Sequence, residues 1–245
     1  FEDIFGNNSI ANRLGNQKDL LYLRVRDLNG TNLTGLMVNF TITLQPGVSG
    51  PVYGNYTNSS GYSNFYFNPG CSPKYKVGDQ NWKAFVTGET CYKNNDTDDL
   101  GFNLNLSVQG DMTLSFDEPL PGNYYQEDII SFLGSVVDDC GDVVSPAPTV
   151  RYFANHTEED VECLSVSLIG ANAYTCKWYT NLSSKIGWYN STMLVNASNH
   201  YNNQTTRITT PGLFQILTKL KVEQPSASPL EQSWGYSNWN FSVVV

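Results

Sequence analysis

Leu21-Tyr22-Leu23-Arg24-Val25-Arg26-Asp27-Leu28-Asn29-Gly30 and Ile130-Ser131-Phe132-Leu133-Gly134-Ser135-Val136-Val137-Asp138-Asp139-Cys140-Gly141 follow one plan. Each is a run of strand-forming residues closed by Val-x-Asp-x-x-Gly, at positions 25–30 and 136–141. The plan has a mechanical reason, because an aspartate side chain caps a turn and a glycine accepts the positive φ that the turn needs. Outward from these two stretches, alternating apolar segments recur along the chain, separated by Asn-Gly, Ser-Gly, Pro-Gly and Asp-rich turns. Helical periodicity is almost absent, which predicts an all-β protein.

A second echo supports duplication. Cys71, Gly78 and Trp82 have the same spacing as Cys163, Gly170 and Tyr174. The expected architecture is two homologous β-sandwich domains in tandem, over residues 18–110 and 111–224, with the boundary near Gly110-Asp111. Residues 1–17 are expected as an N-terminal tail or exchanged strand. Residues 225–245 are expected as a linker, within Gln224-Pro225-Ser226-Ala227-Ser228-Pro229, followed by an orphan strand carrying Trp239, Phe241, Val243 and Val245. An apolar strand without a partner is an aggregation hazard. It therefore either opens the next sandwich of a longer array or enters a neighbouring subunit by strand addition, as a possible assembly strand. The opening Phe1 leads to the expectation of a removed leader or a fragment.

The 245 residues suit two domains. Charged residues make up only 15% and the net charge is −9, so a polyanion is repelled and no nucleic-acid partner is expected. No apolar run reaches the ~20 residues of a membrane-spanning helix. Amides and hydroxyls replace the missing charge. With 27 Asn and 41 Ser plus Thr, chance placement gives roughly four or five Asn-x-Ser/Thr acceptors. The chain has fourteen: Asn7, Asn29, Asn32, Asn39, Asn55, Asn58, Asn95, Asn105, Asn155, Asn181, Asn190, Asn196, Asn203 and Asn240. That excess predicts an N-glycosylated extracellular protein. In 38–44 and 102–108 the acceptors Asn39 and Asn105 alternate with apolar residues, which places them on the polar face of a strand.

Five cysteines agree with an oxidising exterior. The expected disulfides are Cys71–Cys91 and Cys163–Cys176, the second as a pair across a hairpin centred on Ile169-Gly170. Cys140 is left free, competing for a partner, or bonded outside the chain.

Catalytic constellations are missing. No nucleophile elbow is present, and His156 and His200 both read as exposed loop residues. Asp117-Glu118 runs directly into Pro119-Leu120-Pro121-Gly122 and reads as a turn, not as a glycosidase pair. No zinc site, cofactor or Gly-rich phosphate loop is expected. Asp96-Thr97-Asp98-Asp99 and Glu158-Glu159-Asp160 offer oxygens to calcium, but read better as acidic loops. Trp82, Trp178 and Trp188 are expected in cores, whereas Trp234, Tyr236 and Trp239 could form a sugar-binding platform.

Several of these stretches resemble repeats of archaeal surface proteins: Asp-Asp-Cys-Gly at 138–141, Gly-x-Asn-x-Tyr-x-Cys-x-Trp at 170–178, Gly-Trp-Tyr-Asn-Ser-Thr-Met at 187–193, the Trp234–Ser242 segment, and 71–84. The resemblance, over roughly 18–245, implies tandem immunoglobulin-like sandwiches of S-layers, adhesins or surface filaments. Its motifs govern packing and turns and assign no functional site. The expected role is a non-enzymatic structural block that associates with itself or with neighbouring surface domains. The alternatives are an adhesin binding carbohydrate or protein, and the accessory module of an extracellular enzyme.

Overall fold

In the computed structural model, residues 1–13, 15, 18–219, 223–228 and 240–244 are described. None of them is helical, so no helix is long and apolar enough to cross a membrane. The first part of the chain forms β1 (Glu2–Phe5), β2 (Ser9–Asn12), β3 (Asp19–Arg24), β4 (Met37–Gln45), β5 (Val48–Tyr56), β6 (Tyr62–Phe67), β7 (Gly78–Val86), β8 (Asn95–Asp96) and β9 (Asn105–Gln109). The second forms β10 (Met112–Glu118), β11 (Gly122–Tyr125), β12 (Ile129–Asp138), β13 (Thr149–Asn155), β14 (Asp160–Cys163), β15 (Ser167–Ile169), β16 (Ala173–Tyr179), β17 (Gly187–Asn196) and β18 (Thr205–Leu217). A last hairpin pairs β19 (Glu223–Ser228) with β20 (Asn240–Val244).

Each part is a sandwich with its own core. Sheets β1-β3-β6 and β2-β9-β7-β4-β5, the latter with β8 on β7, enclose Leu21, Phe40, Trp82 and Val108. Sheets β10-β12-β16-β15 and β11-β18-β17-β13-β14 enclose Phe132, Tyr152, Tyr189 and Phe214. The strands the two sandwiches share come in the same order, and sandwich 2 has the A-B-E-D and C-F-G arrangement of immunoglobulin sandwiches. The parallel edge pairs correspond as well, β2 with β9 and β11 with β18. Among the described residues, sandwich 1 has no counterpart of β15.

Strict alternation makes these strands. In β12, Ile130, Phe132, Gly134 and Val136 point inward, and a one-residue slip would expose all of them. Strands β7 and β17 share one inward set, Gln80, Trp82, Ala84 and Val86 against Tyr189, Ser191, Met193 and Val195. One device precedes both. Tyr189 Oη lies 2.8 Å from the Lys185 carbonyl four residues upstream, and Gln80 Nε2 donates to the Lys76 carbonyl at 3.0 Å. A corner built on tyrosine in one sandwich is built on glutamine in the other.

Three expectations are corrected by this topology. The echo of 71/78/82 in 163/170/174 is a coincidence, since Gly78 opens β7 while Gly170 precedes β16, in the other sheet type. The duplication instead runs at 109–111 residues: 187 − 78 is 109, and 136 − 25 is 111. Within the segment 1–17, expected as a tail or exchanged strand, β1 pairs with β3 and β2 with β9 of the same sandwich. Finally, the strand over Asn240–Val244 has an in-chain partner, formed by residues read as a linker. Pro225 is tolerated there because an edge strand need not donate on its open side. The hairpin also keeps the offset, as 223 − 112 and 240 − 129 are both 111, and β10 pairs antiparallel with β12 in the same way. Trp234, Tyr236, Trp239 and Val245 lie outside the described residues.

Candidate functional site at the joint between the sandwiches

The Val-x-Asp-x-x-Gly turns fold as their chemistry dictates. Asp27 Oδ1 accepts the N–H groups of Asn29 and Thr31 at 2.9 and 2.8 Å, and Asp138 Oδ1 accepts those of Cys140 and Asp142 at 2.9 and 2.8 Å. Gly30 and Gly141 close them with φ of 82° and 76°. In sandwich 2 this turn meets the far end of sandwich 1, and a cluster of charged and covalent contacts forms there.

Arg13, directly after β2, sends a fully buried side chain into the turn. Its Nη2 donates to Asp138 Oδ2 at 2.8 Å and to Asp139 Oδ1, and its Nη1 donates to the Tyr75 carbonyl at 3.1 Å. Burial works against the cation, but the hydrogen bonds and charge of Asp138 and Asp139 outweigh it and hold the guanidinium above its usual value. A guanidinium suits this place because it serves two carboxylates and a carbonyl from one rigid plane. Gly110 allows the approach. A Cβ there would stand 2.5 Å from Asp139 Oδ1 and 2.6 Å from Arg13 Nη2.

Around this centre the backbones join. Gly110 N–H donates to the His200 carbonyl at 3.2 Å, Asn202 N–H donates to the Gly110 carbonyl at 2.9 Å, and Asn203 exchanges bonds with Met112 in both directions, at 2.7 and 2.9 Å. Lys74 pairs with Asp142 at 2.8 Å. His200, expected in an exposed loop, is half-buried in the joint with Nδ1 3.1 Å from Ser107 Oγ.

A disulfide completes it, and corrects the sequence expectation. Cys71 bonds to Cys140, with Cα atoms 5.5 Å apart, and Cys91 is an exposed free thiol. Cys71 precedes β7 and Cys91 follows it, so the nine residues of that strand hold them at opposite ends, roughly 30 Å apart. A disulfide tolerates about 7 Å. Cys163 and Cys176 are bonded, but they are not hairpin partners: Cys163 lies in β14 and Cys176 in β16, so the bond ties one sheet to the other.

The joint is not built for a metal. Cys71, Asp139 and Cys140 converge, yet both sulfurs are spent on each other and Asp139 on Arg13. The acidic loops are similarly occupied. Asp96 accepts from Asp99 N–H and faces Lys83, which together draw its carboxyl below the usual range, while Glu159 accepts from Lys185 N–H and Tyr189 Oη. His156 is half-buried against the Tyr189 ring, 5.0 Å between centroids. Trp82 is buried and Trp178 lies against Tyr189, but Trp188, expected in a core, is 57% exposed. Of the fourteen asparagine acceptors, the thirteen up to Asn203 include none that is buried. Asn39 and Asn105 face outward between buried Val38, Phe40, Leu104 and Leu106. Asn240's side chain is outside the description. The sequence reading missed Arg13, Asp139 and Gly110, whose roles exist only across the joint.

No family model and no curated protein sequence matches the chain. Among solved structures it is similar to invasin, described as a bacterial integrin-binding protein, at 15% identity and a TM-score of 0.40, over 85% of this chain and 38% of that one. A tetra-tandem repeat from the extending region of a large adhesion protein matches at 15% identity and a TM-score of 0.42, over 85% and 49%. A three-domain immunoglobulin fragment of titin matches at 13% identity and a TM-score of 0.44, over 92% and 68%. The chain thus spans about two fifths of the invasin structure and half of the adhesion repeat. The likeness is one of fold.

Proposed function

We propose that this chain is a non-enzymatic structural spacer of a cell surface, an N-glycosylated extracellular pair of sandwiches held in fixed relative orientation within a layer or filament. An archaeal envelope is the setting that its motifs suggest. The observation that carries this reading is the joint. Neighbouring domains of one chain move relative to each other by default, yet here a disulfide, a buried Arg13–Asp138–Asp139 cluster and main-chain bonds through Gly110 all oppose that motion. Such an investment of bonds suits a part that must keep its length and direction. The outward asparagines would carry a glycan coat over sheets that are polar outside. Small-angle X-ray scattering tests the reading. The oxidised protein is expected to fit one rigid arrangement, and the Cys71→Ser/Cys140→Ser variant to need a distribution of arrangements. An oxidised protein that already requires a broad distribution is not a spacer of this kind.

A further inference from the structure

We infer that the chain pairs with a second copy of itself along β15, edge to edge and antiparallel, so that sheet β10-β12-β16-β15 runs on across a two-fold axis. β15 ends its sheet. It pairs with Ala173–Thr175 of β16 on one side, and among the described residues no strand lies on the other. The hairpin β19–β20 forms a sheet of its own and does not add to this one.

An open edge is a template for another chain, and proteins blunt it with charge or proline. Other edges here follow that rule, with Asp3 on β1, Asp117 on β10, Glu162 on β14 and Pro51 on β5. The β15 edge does not. Residues 163–176 contain neither a charged side chain nor a proline. Leu164 is 89% exposed, and Leu168 and Ile169 are about half exposed. Leu168 stands opposite buried Tyr174 and so shares its core-facing side, where Val166 packs against the core of sandwich 2. That core is therefore open along this rim, and one further strand would cover it.

The sequence of the edge tells which strand fits. Leu164-Ser165-Val166-Ser167-Leu168 reads the same in both directions. In an antiparallel pair centred on Val166, each Leu164 faces the second copy's Leu168, each Ser165 faces its Ser167, and the two valines face each other. Leucines and valines then share the core-facing side and serines the outer side, so every cross-strand pair is matched. The pairing draws residues 164–166, irregular in the single chain, into the strand. Because one edge serves both copies, the contact is isologous and closes at two. The glycan acceptors leave this edge clear. None falls in 156–180, Asn155 pairs with Asp160 at the end of β14 away from Cys163, and Asn181 follows the end of β16 away from β15.

Sedimentation velocity of the full chain without reductant, over a concentration series, tests the contact. The natural protein and Cys91→Ser are both expected to pass from monomer to dimer and to stop there. Leu164→Lys or Leu168→Glu alone, with an unchanged thermal midpoint, should weaken the dimer about tenfold or more. The double variant Leu164→Lys/Leu168→Glu should recover it, because each new cation faces the second copy's new anion. Within one strand the two positions are about 13 Å apart, too far to neutralise each other. A double variant as weak as the singles overturns the register about Val166. Should Leu168→Glu lower the midpoint, Leu164→Lys decides, and a dimer that it leaves unweakened overturns the pairing. Natural protein that stays monomeric, that grows beyond a dimer, or whose dimer disappears in Cys91→Ser also overturns it. Each of these results leaves the rigid spacer, which scattering tests, standing.

Discussion

Arg13 concentrates the residue-scale energetics. Removing one member of a buried ion cluster leaves the others uncompensated, which costs about 3–5 kcal/mol. Arg13→Ala is therefore expected to lower the unfolding free energy of the oxidised protein by that order, and its urea midpoint with it. Arg13→Lys should recover only part, because a point charge cannot serve Asp138, Asp139 and the Tyr75 carbonyl together. Equilibrium unfolding in urea measures both. The buried phenols set the alkaline limit. Burial, the largest cause in each case, pushes Tyr75, Tyr152 and Tyr189 well above the ordinary tyrosine value of 10.0. A neutral acid with a raised folded pKa contributes stability that is complete below its unfolded value and is lost as pH rises beyond it. Stability should accordingly be flat towards these groups up to about pH 10 and fall above it. In a spectrophotometric titration, one group of tyrosines should ionise only together with loss of the near-ultraviolet dichroism. Smooth ionisation of all fifteen tyrosines in the folded state would contradict this.

At the scale of the element, the two aspartate turns give a matched experiment. Asp27 is used only by its own turn and loses two main-chain hydrogen bonds in Asp27→Ala, for a cost of about 1–2 kcal/mol. Asp138→Ala removes the equivalent bonds and also strips a partner from Arg13, so its cost should be clearly larger. Equal losses on calorimetry would show that the cluster at the joint contributes little. The glycan acceptors divide by the same logic. Asn203 has both ends of its amide engaged with Met112, whereas Asn29, Asn58 and Asn190 stand exposed. Glycopeptide mapping of native material should find Asn203 the least occupied of these four.

For the whole molecule, the Cys71–Cys140 bond closes a 69-residue separation, worth about 4 kcal/mol on a chain-entropy basis. Oxidised protein is expected to unfold in one calorimetric transition. The Cys71→Ser/Cys140→Ser variant should unfold at lower temperature and in two steps, one for each sandwich. A single unshifted transition would mean that the joint holds without its covalent bond.

The sequence by itself determined the class of fold, because a strand's alternation and a turn's Asp and Gly are local properties. Val25–Gly30 and Val136–Gly141 could be read without knowing what lies across from them. The outward placement of Asn39 and Asn105 was equally legible from period two. Everything that depends on which strand ends meet was decided by the tertiary structure. Cys71 and Cys91 lie close in sequence, but a nine-residue strand stands between them. Cys71 and Cys140 are 69 residues apart and are brought together by stacking two sandwiches end to end. His200 read as an exposed loop residue, Gly110 only as a domain boundary and Arg13 as nothing in particular, for the same reason. Their partners belong to the other sandwich, and no local pattern records a contact made across a joint.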